Sequence, residues 1–486
     1  MRSPTKGTGE SVNGRDADTN LAHQLTAVLR GDGKLRRLLV GTILARPWFD
    51  AAALFSLRHF FFPASRLLAA ADEARGDVGQ FVKAVPLPEH YSPGVRLQRL
   101  LARLERARAA SNAIDEVWER LFFEEASSSE CDRIVAESKR IKARHDLNSM
   151  RWPLRLLLPL SVPMARLVIA TPESFTAGYK EALNNPIAAL PLDDVTVSRQ
   201  LPRPTGVDYW LRFRSPYHRL GDVVTARVHE PIGAINPPTI IFGHGICVDF
   251  DHWMGLIDES VNLVKYGFRV IRPEAPWHGR RTPRGYFAGE RTISIFPIGI
   301  IDSMRAAVAE WAVLARWARS QSAGSLAFGG SSLGAMTAQL AAEQSKPDAL
   351  FLVTHTADMT AAVVQGALSS LWARPKDIEA FGWTADLVRR YLSCLDAPEA
   401  CPVDPTRVVS IIGRRDTVLP YRSARNQLDR WAVPEENIFE WNRGHFTVPA
   451  TMIRFRQPFE RLAIVMGSSD NVASTTTAWA TDASDR

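Results

Sequence analysis

Cysteine is scarce in this sequence, with four residues in 486. Cys131 and Cys247 stand alone, and Cys394 and Cys401 are close enough to bridge a loop. Nowhere is there a Cys-x-x-Cys pair or a Cys/His spacing suited to zinc. A structural metal knuckle or a thiol redox motif needs such spacing, so neither a metal nor another cofactor is expected. Long apolar runs are missing too. The richest stretches, Leu38–Ala71 and Leu154–Ala170, are broken by Arg46, Asp50, Arg58, Arg66, Arg155 and Arg166. A membrane span takes about 20 mostly apolar residues, so these stretches read as buried or surface-lying helices. The polar start, Met1-Arg2-Ser3-Pro4-Thr5-Lys6-Gly7, lacks the apolar core of a secretory signal. A cytoplasmic protein is the expectation.

The net charge is +7. The first 200 residues hold 28 Lys and Arg against 23 Asp and Glu. These charges are spread along helical patterns and interleaved, which describes solvated helix faces better than a nucleic-acid surface. No nucleic-acid partner is expected. Peripheral membrane contact through the basic N-terminal helices stays open, and the sequence carries no signal of oligomeric state.

Residues 1–20 have the composition of a disordered segment. Residues 21–200 read as a helical N-terminal region: Leu97, Leu100, Leu101, Leu104, Ile114, Val117, Trp118, Leu121 and Phe122 recur at spacings of three and four. Strand alternation is absent there. From 201 to 466 the pattern changes. Val207–Arg214 and Asp222–Glu230 read as paired antiparallel strands. Short apolar strands then alternate with helices, at Thr239–Phe242, Phe268–Arg272, Ser325–Phe328, Leu350–His355, Val408–Ile412 and Ile438–Trp441. That rhythm predicts an α/β fold, a mostly parallel twisted sheet with helices on both faces. Residues 359–404 interrupt it and read as a helical cap insertion carrying Trp372, Phe381 and Trp383. The tail, 467–486, again has a disordered composition.

Chemistry concentrates after the strand at Ser325–Phe328. There Gly330-Ser331-Ser332-Leu333-Gly334 gives Gly-x-Ser-x-Gly followed by a helix-forming run. Such a turn lifts the serine hydroxyl out of a sheet and leaves backbone N–H groups at a helix N-terminus, where an oxyanion can form. Ser332, with glycine at −2 and +2, is the candidate nucleophile. A serine hydroxyl needs a base, and the base an orienting group. The strand at Val408–Ile412 runs into Gly413-Arg414-Arg415-Asp416. The strand at Ile438–Trp441 runs into Asn442-Arg443-Gly444-His445. Ser332, Asp416 and His445 follow at intervals of 84 and 29 residues, each just past a strand. Asp358 is the reserve acid. His244, Asp249 and His252 match no metal motif.

Together the motifs His244-Gly245, Gly330-x-Ser332-x-Gly334, Gly413-x-x-Asp416 and Gly444-His445 resemble the α/β-hydrolase superfamily over about residues 205–466. The resemblance implies an α/β-hydrolase fold with the triad Ser332, Asp416 and His445 in the order that superfamily uses. It also implies an oxyanion hole from the backbone N–H groups of Leu333 and Ile246. A fifth segment, Pro276-Trp277-His278-Gly279-Arg280-Arg281, looks like a run found in the α/β-hydrolase domain-containing 18 group, whose members are taken as hydrolases of lipids or esters. In this fold the loop after that strand borders the active-site mouth. His278, Arg280, His244, Trp372, Phe381 and Trp383 are therefore candidate substrate contacts. His244 also reads as a brace of its own loop.

The expected activity is serine-dependent hydrolysis of a carboxylic ester, esterase or lipase, on a small molecule with an apolar group. Two alternatives are acyl transfer on the same triad and a non-catalytic binding fold. Polyhydroxyalkanoate synthases also extend this fold N-terminally but carry cysteine at the elbow, where this chain has Ser332.

Overall fold

The computed structural model describes residues 46, 48–85, 87, 94–125, 127–158, 162–184, 190–248, 260–369, 375–452 and 455–467. Of the segments read as disordered, all of 1–20 and all of 467–486 except Gly467 lie outside them, as do Asp249, His252 and Trp372.

The first part is helical. It runs through α1 (Trp48–Ser56), a π-helical turn (Leu57–Phe61), α2 (Phe62–Glu73), α3 (Val78–Ala84), α4 (Val95–Glu119), α5 (Glu130–Ser149), α6 (Arg151–Leu157) and α7 (Pro172–Asn184). Local signals set several starts. Asp77 caps α3 by accepting from Gln80 N–H, and Ser129 caps α5 by accepting from Asp132 N–H. The apolar stripe of α4 serves two cores. Leu97, Leu101 and Leu104 pack with Leu67 and Ala71 of α2. One end farther on, Trp118 and Phe122 pack with Trp210 of the sheet.

Two-residue strands also occur before position 201: β1 (Val168–Ile169) and β2 (Thr196–Val197). They are too short to show alternation, which is why the sequence reads as purely helical there. β2 already belongs to the main sheet. The sheet continues with β3 (Leu201–Arg203), β4 (Gly206–Arg214), β5 (Val223–Pro231), β6 (Thr239–Gly243) and β7 (Arg269–Pro273). Among the described residues the small β8 (Ile295–Phe296) pairs with β1 alone. The sheet is completed by β9 (Leu326–Ser331), β10 (Ala349–Val353), β11 (Val408–Gly413) and β12 (Ile438–Trp441).

Among the described residues the order is β12-β11-β10-β9-β6-β7-β5-β4-β2, with β3 also on β4. From β7 to β12 all neighbours are parallel, and β5 and β4 join antiparallel. This is the α/β-hydrolase fold expected from the sequence. Both faces are covered, so the central strands are buried on every residue. Ile241, Phe328, Leu350 and Leu352 face the long helix α10 (Ile298–Gln321), which follows the short helices α8 (Ser260–Lys265) and α9 (Glu290–Ser294), and the helix after β9, α11 (Leu333–Ser345). Ile240, Phe242, Phe351 and Val353 face the other layer, which includes the C-terminal helix Gln457–Val465.

Between β10 and β11 lie the helices α12 (Met359–Gln365), α13 (Pro375–Glu379) and α14 (Ala385–Leu392). They interrupt the sheet where an insertion is expected. Its apolar side does not stand alone. It shares one cluster with Phe62 of α2, Phe175 and Tyr179 of α7, and Phe296 of β8. The cover over the C-terminal edge of the sheet is therefore built from four separate stretches of chain.

Candidate active site

Ser332 follows the last residue of β9 and precedes the first residue of α11. Its backbone sits at φ 56° and ψ −116°, a region costly for a residue with a Cβ. Two hydrogen bonds hold it there. Its N–H donates to Val353 O at the end of β10 (2.9 Å), and its carbonyl accepts from Met336 N–H (3.1 Å). The flanking glycines are required by contact. A Cβ on Gly330 would lie 2.4 Å from the Gly334 carbonyl carbon, and one on Gly334 would lie 2.2 Å from the carbonyl of Gly243. Strand β9, helix α11 and the end of β6 thus meet through backbone alone.

The structure brings the three predicted side chains together. Asp416 lies in the turn after β11, closed by its N–H on Gly413 O (3.0 Å). Its Oδ1 accepts from the N–H groups of Val418 and Leu419, both at 2.9 Å. That leaves Oδ2 for His445 Nδ1, at 2.8 Å. A carboxylate can only accept, so Nδ1 carries the proton and Nε2 is left as an acceptor. Nε2 lies 3.0 Å from Ser332 Oγ, whose hydroxyl donates. All three side chains are buried. Asp358 is not the acid: it caps α12, accepting from Ala361 N–H at 2.7 Å.

Leu333 is the first residue of α11, so its N–H has no acceptor within the helix and sits at the positive end of the helix dipole. Opposite it runs the loop after β6. A Cβ on Gly245 would be 3.6 Å from Ser332 Cβ, which places Gly245, the residue before Ile246, beside the serine. His244 and His278 hold this loop from behind. Each donates from Nδ1 to a carbonyl, His244 to Gly245 O (2.7 Å) and His278 to Pro276 O (2.8 Å). Each accepts at Nε2, His244 from Ala275 N–H (3.1 Å) and His278 from Cys247 N–H (3.0 Å). Burial pushes the His278 imidazole down to about 4. Burial, and then the neighbouring His278, holds His244 well below its usual range. Both are neutral braces. Neither ring has a nitrogen left for the substrate contact expected of His244 and His278, because both nitrogens of each are spent on backbone.

The rest of that segment also serves structure. Arg281 forms two hydrogen bonds to Asp222 and two to Glu310, all at 2.8 Å. Arg280 lies over the Trp118 ring, 3.9 Å from its centroid. A cavity of about 390 Å³ between the N-terminal helices and residues 279–288 reaches Cys247 but includes none of Ser332, Asp416 or His445.

Of the aromatic residues expected in the cap, Trp383 is 1% exposed and part of the core. It packs on Phe175, Phe296 and Tyr391, and its Nε1–H donates to Ala170 O at 2.7 Å. Its role is to lock the cap to the N-terminal region. Phe381 is 47% exposed. The surroundings of the serine are apolar: Leu333, Met336, Leu419, Ile246 and Phe446 belong to one cluster. Cys394 and Cys401 are free thiols. No helix among the described residues is long and apolar enough to cross a membrane. Sequence reasoning missed Asp50 of α1, whose carboxylate reaches the loop of His445. Its only sequence signal is a charge inside an apolar stretch.

A family model described as alpha/beta hydrolase domain containing 18 matches residues 249–372. No curated protein matches the sequence. Among solved structures, a cold-adapted esterase from an Arctic intertidal metagenomic library is similar with a TM-score of 0.38 at 13% identity, over 55% of this chain and 97% of that one. Acetyl xylan esterase 1 from Thermoanaerobacterium sp. JW/SL YS485 gives 0.39 at 14% identity, over 59% and 96%. An S-formylglutathione hydrolase from Agrobacterium tumefaciens gives 0.37 at 15%, over 55% and 99%.

Proposed function

We propose that this protein is a serine hydrolase that cleaves a carboxylic ester through an acyl-enzyme on Ser332. One observation carries the reading: a strained serine at a helix N-terminus donates to an imidazole whose other nitrogen is held by a doubly anchored carboxylate. Ser332 Oγ attacks the ester carbonyl while His445 Nε2 takes the hydroxyl proton. The tetrahedral oxyanion is stabilised by the N–H groups of Leu333 and Ile246. Collapse breaks the bond to the alcohol oxygen, which leaves with the proton from Nε2. Water then attacks the acyl carbonyl, giving a proton to Nε2 that returns to Ser332 as the acid departs. Asp416 keeps Nδ1 protonated and steadies the imidazolium.

The apolar cluster around Leu333, Met336, Leu419 and Phe446 supports a substrate with an apolar acyl or alcohol group. The test is a chain-length series of p-nitrophenyl esters with the purified full chain. Turnover that disappears in Ser332→Ala is expected. No turnover of any ester, with no covalent labelling of Ser332 by a fluorophosphonate, overturns the reading.

A further inference from the structure

We propose that Asp50 is a positioning residue for His445, so that helix α1 is part of the catalytic apparatus; this rests on the hydrolase reading above. Asp50 lies on α1 and is buried. Its Oδ1 accepts from Phe446 N–H at 2.7 Å, across 396 residues of sequence. Its Oδ2 accepts from Thr447 Oγ1 at 2.6 Å. Thr447 Oγ1 in turn accepts from Gly444 N–H at 2.8 Å. The residues on both sides of His445 are thus tied to one carboxylate, directly or through one hydroxyl. The Phe446 N–H belongs to the peptide unit that leaves His445, so this bond fixes the backbone plane from which the imidazole projects.

Gly444 shows how close the approach is. A Cβ there would lie 2.5 Å from the Asp50 carboxyl carbon. Only glycine admits the carboxylate to this place. The bonded N–H also precedes the helix α15 (Thr447–Met452). Groups there have no intrahelical acceptor, and this chain supplies one from α1.

The consequence is geometric. His445 must keep Nδ1 on Asp416 and Nε2 on Ser332 at once. A misplacement of about 1 Å in such a constellation costs on the order of 10²-fold in rate. Asp50 touches neither substrate nor a ring nitrogen of His445, so its loss should act on the chemical step and leave binding alone.

The test is the rate of covalent labelling of the full chain by a fluorophosphonate, separated into kinact and KI. In this reaction Ser332 Oγ bonds to phosphorus, fluoride leaves, and His445 accepts the proton. Asp50→Ala is expected to lower kinact about 10²-fold with KI within about twofold. Asp50→Asn is expected to recover kinact to within about fivefold of wild type. Its amide oxygen can still accept from Phe446 N–H, and its amide nitrogen can donate to Thr447 Oγ1. A folded Asp50→Ala variant with wild-type kinact overturns the proposal, and so does an Asp50→Asn variant as slow as Asp50→Ala. Should Asp50→Ala fail to fold, Thr447→Val decides: about a tenfold drop in kinact supports the proposal and a wild-type kinact overturns it. Failure of the underlying reading looks different. In that case the wild-type chain is not labelled at Ser332, and the positioning proposal falls with it.

Discussion

The sheet-borne triad and the N-terminal helices are held together by different kinds of interaction. Around Ser332, Asp416 and His445, each side chain sits at the end of its own strand, and short-range geometry sets it: a tight turn, a glycine contact, a carboxylate bonded two and three residues on. In the N-terminal helices the decisive partners are far away in sequence. Asp50 bonds residues 446 and 447. Arg66 pairs with Glu290 at 2.8 Å, both buried, and Glu290 also accepts from the N–H groups of Arg166 and Phe287. One region places its three side chains by local chain geometry. The other brings distant loops to them through buried charges.

The largest effect should fall on the first region. Ser332→Ala is expected to reduce kcat by on the order of 10⁶, while Ser331→Ala, at the end of β9 and without the elbow backbone, should keep most activity. Asp416→Asn should cost about 10⁴, because Nδ1 loses its acceptor. Ester turnover measured on these three variants separates them; a near-wild-type Asp416→Asn would place the orienting acid elsewhere.

The second region should break in stability. Arg66→Met leaves the Glu290 carboxylate buried without its cation, at a cost of about 3–5 kcal/mol. Denaturant unfolding measures it, and a cost below about 1 kcal/mol would show that the pair is not what ties α2 to residues 285–290. Trp383→Ala removes a core indole and its bond to Ala170 O. It should destabilise by about 3–5 kcal/mol. Exposed Phe381→Ala should stay within about 0.5 kcal/mol. Equal effects of the two on stability would contradict the division between a locked and a free cap aromatic.

Acid should loosen the sheet and its mouth loop, where His355 bonds Ser410 and Gln427 and His278 bonds Cys247 N–H. Burial holds His278 and His355 near 4 in the folded chain, whereas in the unfolded chain each titrates near 6.5. Between those values the unfolded state binds more protons, so stability is full above about pH 6.5 and falls as pH drops toward 4. The loss is on the order of 3 kcal/mol per histidine. Unfolding midpoints at pH 7 and pH 5 read it, and His355→Gln should make the slope shallower. A pH-independent midpoint would contradict neutral, buried imidazoles.

Legibility in the sequence follows the same divide. The strands and the positions of Ser332, Asp416 and His445 at their ends are legible because apolar runs bounded by glycine and ending in Ser, Asp or His are local patterns. β9 runs three residues past the expected Ser325–Phe328, through the small residues Gly329, Gly330 and Ser331, whose lack of apolar bulk hides the strand. The fold class and the three candidate residues need no long-range information. Arg46, Asp50, Arg58, Arg66, Arg155 and Arg166 read only as interruptions of apolar stretches, since nothing local says where a buried charge finds its partner. Trp383 and His278 show the converse. An aromatic in a cap and a histidine in a mouth loop suggest ligand contact, yet Ala170 O and Cys247 N–H, both distant in sequence, take up their polar atoms.

The most direct test of the account is the site of covalent modification. The full chain is treated with a fluorophosphonate and the adduct mapped by peptide mass spectrometry. The expected result is a single adduct on Ser332 that is absent from Ser332→Ala. An adduct on Ser331, or none on the folded wild-type chain, would contradict it.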